Sequence, residues 1–360
     1  MKSNNFCVIM GGGVGSRFWP FSKEDKPKQF LDFFGTGRSL LQSTFDRFKK
    51  IIPVENIFVV TNDAYAEMTL KQLPELSKNQ ILLEPLRRNT APAIAYAVFH
   101  IQAINPNANI VVAPSDHLIL KEDVFLSEIE RGLQFVEKNP FLLTLGIKPS
   151  RPETGYGYIQ ENHEEIVDGI KKVKTFTEKP NFELAKAFFE SGEFVWNSGI
   201  FLWNAKTILN SFKQHLPDIV NKFNEGKEFF NTSREKEFID QAFPFCPNIS
   251  IDYGIMEKAD NVYVIGCDFG WSDLGTWGSL HEITDKDNNN NASLHCKTLY
   301  IESNDNIVTM SDGKLVVIQG LDGYIVAESN NTLLICKKEE EQRIKHFVTD
   351  VKFRYGDEYI

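Results

Sequence analysis

Residues 6–30 read FCVIMGGGVGSRFWPFSKEDKPKQF, a short apolar run followed by a loop with four glycines and several basic side chains. Bare glycine backbone can approach a phosphate closely and point N–H groups at it. The loop lacks the Gly-Lys-Ser/Thr ending of a Walker A motif. A G-x-G-x-x-G/A dinucleotide fingerprint starting at Gly11 would end at Ser16, and Pro20 and Pro27 interrupt the helix that should follow it. The stretch therefore predicts a long phosphate-wrapping loop after a first β-strand.

Short apolar runs alternate with helix-like segments over the first 150 residues. The helical pattern is clearest where Phe125, Ile129, Leu133 and Val136 fall on one face. This alternation predicts an α/β fold with a mixed, mostly parallel, Rossmann-like sheet flanked by helices. The predicted strands are 6–10, 57–61, 80–83, 109–113 and 141–146, and the predicted helices are 39–50, 64–73, 91–104 and 124–137.

The chain is expected to divide near residues 285–291, whose sequence DKDNNNN reads as a polar linker. Residues 1–286 are predicted to form one domain, with a nucleotide-binding half (1–150) and a second half (151–286) rich in aromatic and glycine turns. Residues 292–360 are predicted to form a small C-terminal β module with a short helix over 339–347.

Composition excludes several classes of protein. The formal net charge of -10 argues against a general nucleic-acid or membrane-surface binder. No apolar run approaches the roughly 18 residues of a membrane span. The five cysteines have neither metal-ligand nor redox spacing, and the N-terminus lacks the layout of a signal peptide. A cytoplasmic location is therefore expected.

Several motifs in register carry a family resemblance. Besides GGGVGSRFWPFS and KPKQF, the chain contains EPLRRNTAPAI (84–94), PSDH (114–117), FTEKP (176–180), WNSGIF (196–201), SIDYGIMEK (250–258) and WSDLGTW (271–277). The set resembles the sugar-1-phosphate nucleotidyltransferases, and in particular the mannose-1-phosphate guanylyltransferases. One small departure is Thr177, where the family commonly has valine. The resemblance implies a nucleotidyltransferase fold similar to that of glycosyltransferase-A proteins.

The resemblance also implies a reaction. GTP and mannose 1-phosphate would give GDP-mannose and pyrophosphate, with Mg²⁺, by in-line attack of the sugar phosphate on the α-phosphorus. A phosphate oxygen is already ionised at neutral pH, so no general base is required. Catalysis then rests on positioning and on neutralising charge.

Nucleotide contacts are carried over residue by residue. By resemblance, Arg17 and Lys28 neutralise the triphosphate as catalytic residues, while Lys23 and Lys26 are expected to be solvated. Glu84 ends a predicted strand, and its carboxylate could accept from both N–H groups on the guanine edge. Asn89 and Thr90 could instead simply cap the next helix. The implied nucleotide-binding set is Gly11, Gly12, Gly13, Gly15, Ser16, Glu84, Arg88, Asn89 and Thr90.

Asp116 and Asp273 are the metal candidates. Asp116 follows the strand pattern NIVVA, and Mg²⁺ prefers carboxylate, water and phosphate oxygens. A lone aspartate after a strand is also a common turn or cap residue, so the assignment rests on the resemblance.

The FTEKP motif supplies the sugar site in the family, and the resemblance implies that residues 151–286 form the sugar-binding half. By resemblance, Lys179 meets the sugar phosphate as a catalytic residue, and Glu178 meets a hydroxyl. Asn197, Tyr156 and Gly157 would complete the pocket. Asp252 is left open, as either a helix N-cap or a residue that orders the pocket.

Other functions remain open at this point. The same chemistry with another nucleotide or sugar 1-phosphate is the nearest alternative. A non-catalytic nucleotide-sugar sensor is the second, although such proteins usually lose a catalytic lysine, arginine or metal carboxylate. A nicotinamide-dependent oxidoreductase fits least, because of the two prolines after the glycine loop. A homodimer is expected, with contacts in the β module.

Overall fold

A computed structural model describes residues 3–13, 15–310 and 313–360, with Ser16 and Glu165 described in their backbone only. The predicted nucleotide contact of the Ser16 side chain therefore lies outside the described part. The strands are β1 (Asn5–Met10), β2 (Ile57–Asn62), β3 (Ile81–Glu84), β4 (Asn109–Pro114), β5 (Leu118–Ile119), β6 (Leu142–Ile147), β7 (Tyr158–Val167), β8 (Ile170–Thr177), β9 (Phe194–Asn204), β10 (Val262–Cys267), β11 (Trp271–Ser272), β12 (Ala292–Leu294), β13 (Lys297–Ile301), β14 (Ile307–Thr309), β15 (Leu315–Gln319), β16 (Tyr324–Ser329) and β17 (Thr332–Lys337).

Ten α-helices accompany these strands in the described residues, with shorter 3₁₀ turns between them. They are α1 (Leu40–Phe48), α2 (Ala66–Gln72), α3 (Thr90–Ile104), α4 (Glu122–Lys138), α5 (Phe182–Ser191), α6 (Ala205–His215), α7 (Pro217–Asn224), α8 (Glu235–Ala242), α9 (Trp277–Ile283) and α10 (Ile344–Tyr355). None of them is long and apolar enough to cross a membrane.

Residue contacts divide the chain into two compact units. The first contains residues 1–12, 44–115 and 119–271, and the second contains 13–43, 116–118 and 272–360. The glycine loop is thus shared, since the chain passes from the first unit to the second after Gly12. The division into domains at 1–286 and 292–360 stays a prediction.

The first unit is built on a nine-stranded sheet in the order β3-β2-β1-β4-β9-β6-β10-β8-β7. Only β8 and β9 run against the other seven strands, which confirms the predicted mixed, mostly parallel sheet. The interior strand β1 contains a continuous apolar run, Phe6–Ile9, which is buried because helices cover both faces of such sheets. The four predicted residues of the α4 face are all buried as well.

The second unit contains the predicted β module. Strands β12, β14 and β16 pair in parallel, β17 adds an antiparallel edge, and β13 pairs in parallel with β15. The second part of the glycine loop folds with this module, because Phe18 and Trp19 share a core with Trp277 and Ile325. The predicted helix over 339–347 is displaced, since a 3₁₀ turn at Lys338–Arg343 precedes α10.

The predicted polar linker is a hydrogen-bonded turn. Asp287 Oδ1 accepts from the backbone N–H groups of Asn289 and Asn291 at 2.9 and 2.8 Å. Asn291 is buried, and its Oδ1 accepts from Asn306 Nδ2 at 2.9 Å on the next turn of the module. Asn291 and Asn306 hydrogen-bond to buried backbone groups and to each other. These bonds explain how so polar a run forms a defined turn.

Candidate active site

The glycine loop leaves the first unit at Gly11 and Gly12. The Gly11 N–H, a predicted phosphate donor, instead donates to the carbonyl of Val60 in β2 at 2.8 Å. A Cβ added at Gly12 would lie 2.7 Å from Glu84 Oε1. Glycine is needed at this position because the Glu84 carboxylate lies against the backbone.

Glu84 is the last residue of β3 and is only 6% exposed. Burial raises the pKa of its carboxyl to about 7, and the charge of Arg87 only partly offsets that rise. The Glu84 backbone carbonyl accepts from Asn62 Nδ2 at 3.2 Å, which fixes the strand end. The side chain is therefore a buried hydrogen-bonding group that changes charge near neutral pH.

Arg88, Asn89 and Thr90 each make a structural contact at the start of α3. One Arg88 N–H donates to the Pro244 carbonyl at 2.7 Å. Asn89 is the N-cap of α3, and Thr90 Oγ1 accepts from the Ile251 N–H at 2.9 Å. The capping alternative is thus observed, and the nucleotide contacts of these three residues stay predictions.

Glu178 and Lys179 follow β8 rather than lying within it. Lys179 has a φ of 47°, a conformation that costs a non-glycine residue free energy and redirects the chain. Its Nζ lies 3.3 Å from Glu178 Oε1 and its side chain is 63% exposed. A Cβ at Gly157 would overlap the Glu178 carboxylate, so the fold brings Gly157 and Glu178 together, and their contact with a sugar stays a prediction.

Tyr156 and Asn197 lie on neighbouring parts of the first unit. The Tyr156 ring packs edge-on against Trp196 and Trp271, with centroids 5.1 and 5.0 Å apart. Asn197 Nδ2 donates to Asp252 Oδ1 at 2.9 Å. Asp252, left undecided by the sequence, begins a π-helical turn, Asp252–Met256, and does not cap an α-helix.

Lys28 is the centre of the polar cluster in the second unit. Its side chain is almost completely buried, and Nζ donates to Asp116 Oδ2 at 2.8 Å and to the Asp273 carbonyl at 2.6 Å. Gly15 has a φ of 67°, and a Cβ there would strike Lys28 Cβ at 2.5 Å. The loop glycine therefore makes room for the lysine stem.

Asp116 is held in its ionised form. Burial alone would raise the pKa of its carboxyl, but the charges of Lys28 and His117 and the Lys28 hydrogen bond lower the pKa below its usual value. Asp273 Oδ1 accepts from the Gly275 N–H at 2.8 Å. No group of three or more metal-binding side chains occurs among the described residues. Two carboxylates nevertheless fit Mg²⁺, which completes its shell with waters and substrate phosphates.

Arg17 is the predicted residue that does not join this cluster. Its Nε donates to Gln342 Oε1 at 3.2 Å. None of the contacts among the described residues links it to Lys28, Asp116 or Asp273. Gln29, to which sequence reasoning assigned no role, is buried and donates to the Gly13 carbonyl at 2.9 Å. The spacing of residues in the sequence does not indicate this role for Gln29, because only the folded loop brings its side chain to the Gly13 carbonyl.

Comparisons with known proteins identify the family. Residues 6–290 match the nucleotidyl transferase family, and residues 297–351 match the MannoseP isomerase/GMP-like beta-helix domain. A mannose-1-phosphate guanylyltransferase of Escherichia coli is 36% identical over 97% of this chain and 76% of its own length. Among solved structures, a Thermus thermophilus protein described as a mannose-1-phosphate geranyltransferase has a TM-score of 0.87 at 29% identity, over 97% of this chain and all of that one. A mannose-6-phosphate isomerase of Helicobacter pylori has a TM-score of 0.61 at 27% identity, over 74% of this chain and 99% of that one. The chain therefore belongs to the nucleotidyl transferase family and, within it, to the enzymes of the mannose-1-phosphate guanylyltransferase group.

Proposed function

We propose that this enzyme transfers GMP from GTP to mannose 1-phosphate, giving GDP-mannose and pyrophosphate. The observation that carries the proposal is the buried Lys28 ammonium, which contacts Asp116 and the Asp273 backbone. A buried lysine is costly unless it meets charge. In this reaction, the oxygens of the triphosphate supply the negative charge that an ammonium such as that of Lys28 can neutralise.

Lys28 would neutralise charge that passes to the leaving pyrophosphate. Because its ammonium is already fixed by two contacts within the second unit, little reorganisation is needed when the phosphates bind. Arg17 is proposed as a second phosphate cation, which requires its side chain to leave Gln342.

Asp116 and Asp273 would hold Mg²⁺ through their carboxylates. When bound, the ion supplies Lewis-acid neutralisation of the phosphate oxygens. The lowered pKa of Asp116 keeps that carboxylate ionised and available throughout the neutral range.

In the first unit, Glu84 is proposed to accept from the N1–H and N2 amino groups of guanine. This edge is what distinguishes guanine from the other bases, and adenine cannot present two donors there. The loop beginning at Gly12 and the α3 start at Arg88–Thr90 would lie beside the nucleotide.

The sugar 1-phosphate is proposed to lie at the Glu178–Lys179 turn. Lys179 is exposed and has its ammonium near Glu178, so it can reach an incoming phosphate. Glu178, Asn197 and the Tyr156–Gly157 segment would bind sugar hydroxyls. The attacking phosphate oxygen needs no proton removed, so no side chain is assigned as a general base.

Pyrophosphate release tests the proposed function directly. The protein is assayed with mannose 1-phosphate and Mg²⁺ in parallel with GTP, ATP, UTP and dTTP. Rapid release with GTP alone is the expected result. Release with UTP or dTTP would retain the chemistry and overturn the guanine assignment. If no pyrophosphate is released with any of the four nucleotides, and again none when glucose 1-phosphate replaces mannose 1-phosphate, the proposal is overturned in favour of a nucleotide-sugar sensor.

A homodimer through the β module is proposed from its exposed apolar face. Leu299, Ile301, Leu315 and Val317 are between 43 and 69% exposed, and Leu299 lies directly beside Val317 across the β13–β15 pair. A patch of this kind commonly marks a protein–protein contact, and a second copy is the occupant that needs no further partner.

Replacing Leu299 and Val317 together by lysine should turn the dimer into a monomer in light scattering after size exclusion. Asp285→Lys, which adds a lysine at an exposed position elsewhere in the second unit, is the control and should remain dimeric. A monomeric parent, or an unchanged dimer in the double variant, would contradict this interface.

The five cysteines are all free, which supports a reducing compartment such as the cytoplasm.

A further inference from the structure

The Asn197 side chain is held by partners of opposite kind. Its Oδ1 accepts from the Gly199 N–H at 3.1 Å, while its Nδ2 donates to Asp252 Oδ1 at 2.9 Å. An amide offers two donors on nitrogen and an acceptor on oxygen, whereas an ionised carboxylate only accepts. Asp252 therefore selects which end of the amide faces it. No described residue accepts from the second N–H of Asn197, which remains for a ligand.

The carboxylate of Asp252 lies in an unfavourable environment. Burial, followed by the like charge of Glu178, raises the pKa of Asp252 to about 6, although Asn197 and Lys179 oppose the rise. Burial, and then the like charge of Glu178, also raise the pKa of Glu257, which directly follows the turn Asp252–Met256. A neutral residue at 252 would avoid this cost, so the retained charge indicates a role other than stability.

We infer that Asp252 is a positioning residue for the sugar 1-phosphate, which orients the Asn197 amide so that its remaining N–H meets a sugar hydroxyl. The inference rests on the proposed function. A Cβ added at Gly157 would overlap Glu178 Oε2 and lie 3.3 Å from Asn197 Cβ, so the Glu178 carboxylate and the Asn197 amide that Asp252 orients are both available to hydroxyls of a single sugar. Hydroxyl groups donate readily to carboxylates, and such bonds are strengthened by the charge.

A double-mutant cycle tests whether Asp252 acts through Asn197. Asp252→Ala and Asn197→Ala should each raise KM for mannose 1-phosphate about tenfold, the scale of one hydrogen bond to a charged group. The double variant should be no worse than Asn197→Ala, because the two residues form one unit. KM for GTP should stay unchanged. Additive effects, or an equal rise in KM for GTP, would overturn the inference.

A conservative variant and a control separate positioning from packing. Asp252→Asn can still offer an oxygen to Asn197 but lacks the charge, so it should recover only part of the affinity for mannose 1-phosphate lost in Asp252→Ala. Asp218→Asn, an exposed acid on α7, should behave like the parent. If Asp252→Asn is as impaired as Asp252→Ala while both melt like the parent, the hydrogen bond is not what matters.

The pH profile gives a readout that packing would not move. In the parent, kcat/KM for mannose 1-phosphate should fall as pH drops through about 6. The second phosphate ionisation of the substrate also lies near 6, and Glu178, Lys179 and Glu257 remain in both proteins. The kcat/KM of the parent divided by that of Asp252→Asn therefore reports on residue 252 alone. A ratio that does not change with pH would overturn the inference. Failure of the parent to turn over GTP and mannose 1-phosphate would instead overturn the proposed function.

Discussion

Asp116 in the second unit and Glu84 in the first are both carboxylates at the ends of parallel strands, yet they have opposite electrostatics. Asp116 accepts from the Lys28 ammonium at 2.8 Å, and its pKa lies below the usual value. Glu84 has no ammonium or guanidinium in direct contact within the described part of the chain, and burial raises its pKa to about 7. Burial raises the pKa of both acids, and only at Asp116 do the charges of Lys28 and His117 and the Lys28 hydrogen bond outweigh it.

The difference separates two tasks of a nucleotidyltransferase. A metal ligand must be ionised at all working pH values, because a protonated carboxyl binds Mg²⁺ poorly. A residue that reads a base must instead present hydrogen-bond acceptors from a place that excludes water. Three substitutions, one of them measured in two ways, test whether these carboxylates have separate tasks.

Lys28→Ala should have the largest effect, because it removes the ammonium proposed to neutralise the phosphates. We expect kcat/KM to fall by roughly 10²–10³-fold, as for loss of one preorganised donor. Lys26→Ala, an exposed lysine two residues earlier, is the control and should stay near the parent. A near-normal rate for Lys28→Ala, with folding verified by its melting temperature, would remove Lys28 from catalysis.

Asp116→Asn should come next. The amide keeps the size of the side chain but loses the charge that attracts Mg²⁺, so the rate should fall by about 10²-fold and respond weakly to added Mg²⁺. The measurement is the rate as a function of Mg²⁺ concentration. Asp285→Asn, an exposed acid in the same unit, should retain the parent response. An active Asp116→Asn enzyme with a normal Mg²⁺ response would contradict the metal assignment.

Glu84→Gln should change the choice of base more than the rate of transfer. A glutamine oxygen can accept from one guanine donor, but its NH₂ opposes the other. We therefore expect the ratio of kcat/KM for GTP to that for ATP to fall about tenfold, the scale of one hydrogen bond to a charged group. Glu75→Gln on the same unit is half-exposed and serves as the control. An unchanged ratio would place the guanine contact elsewhere.

The same Glu84→Gln variant should be more stable than the parent at high pH. Because the folded-state pKa of Glu84 is raised from 4.5 to about 7, the native state retains a proton that the unfolded chain loses within that window. Raising the pH through the window therefore lowers the parent's free energy of unfolding, by up to about 3 kcal/mol. Urea unfolding at pH 5 and pH 8 should show the variant gaining stability relative to the parent only at pH 8. An equal difference at both pH values would refute the raised pKa.

Local sequence predicted most elements of the first 150 residues because their patterns are short-range. The buried run before the glycine loop and the 3.6-residue period of α4 need no distant partner to be recognised. The last helix was less predictable, since α10 begins at Ile344 only after a 3₁₀ turn and buries that residue in the core of the β module. At the ends of helices, tertiary contacts override the helix propensity of the local sequence.

By itself, the sequence determined the alternation of strands and helices, the glycine loop and the identities of the charged residues in the family motifs. Only the tertiary structure decided their partners. Lys28 meets Asp116 and also the Asp273 carbonyl, which lies 245 positions away along the chain, while Arg17 from the same loop contacts Gln342 instead. The burial that raises the pKa of Glu84 likewise comes from the folded sheet. Charge state depends on the surrounding dielectric and on contacts within a few ångströms, and a linear sequence specifies neither until the chain has folded.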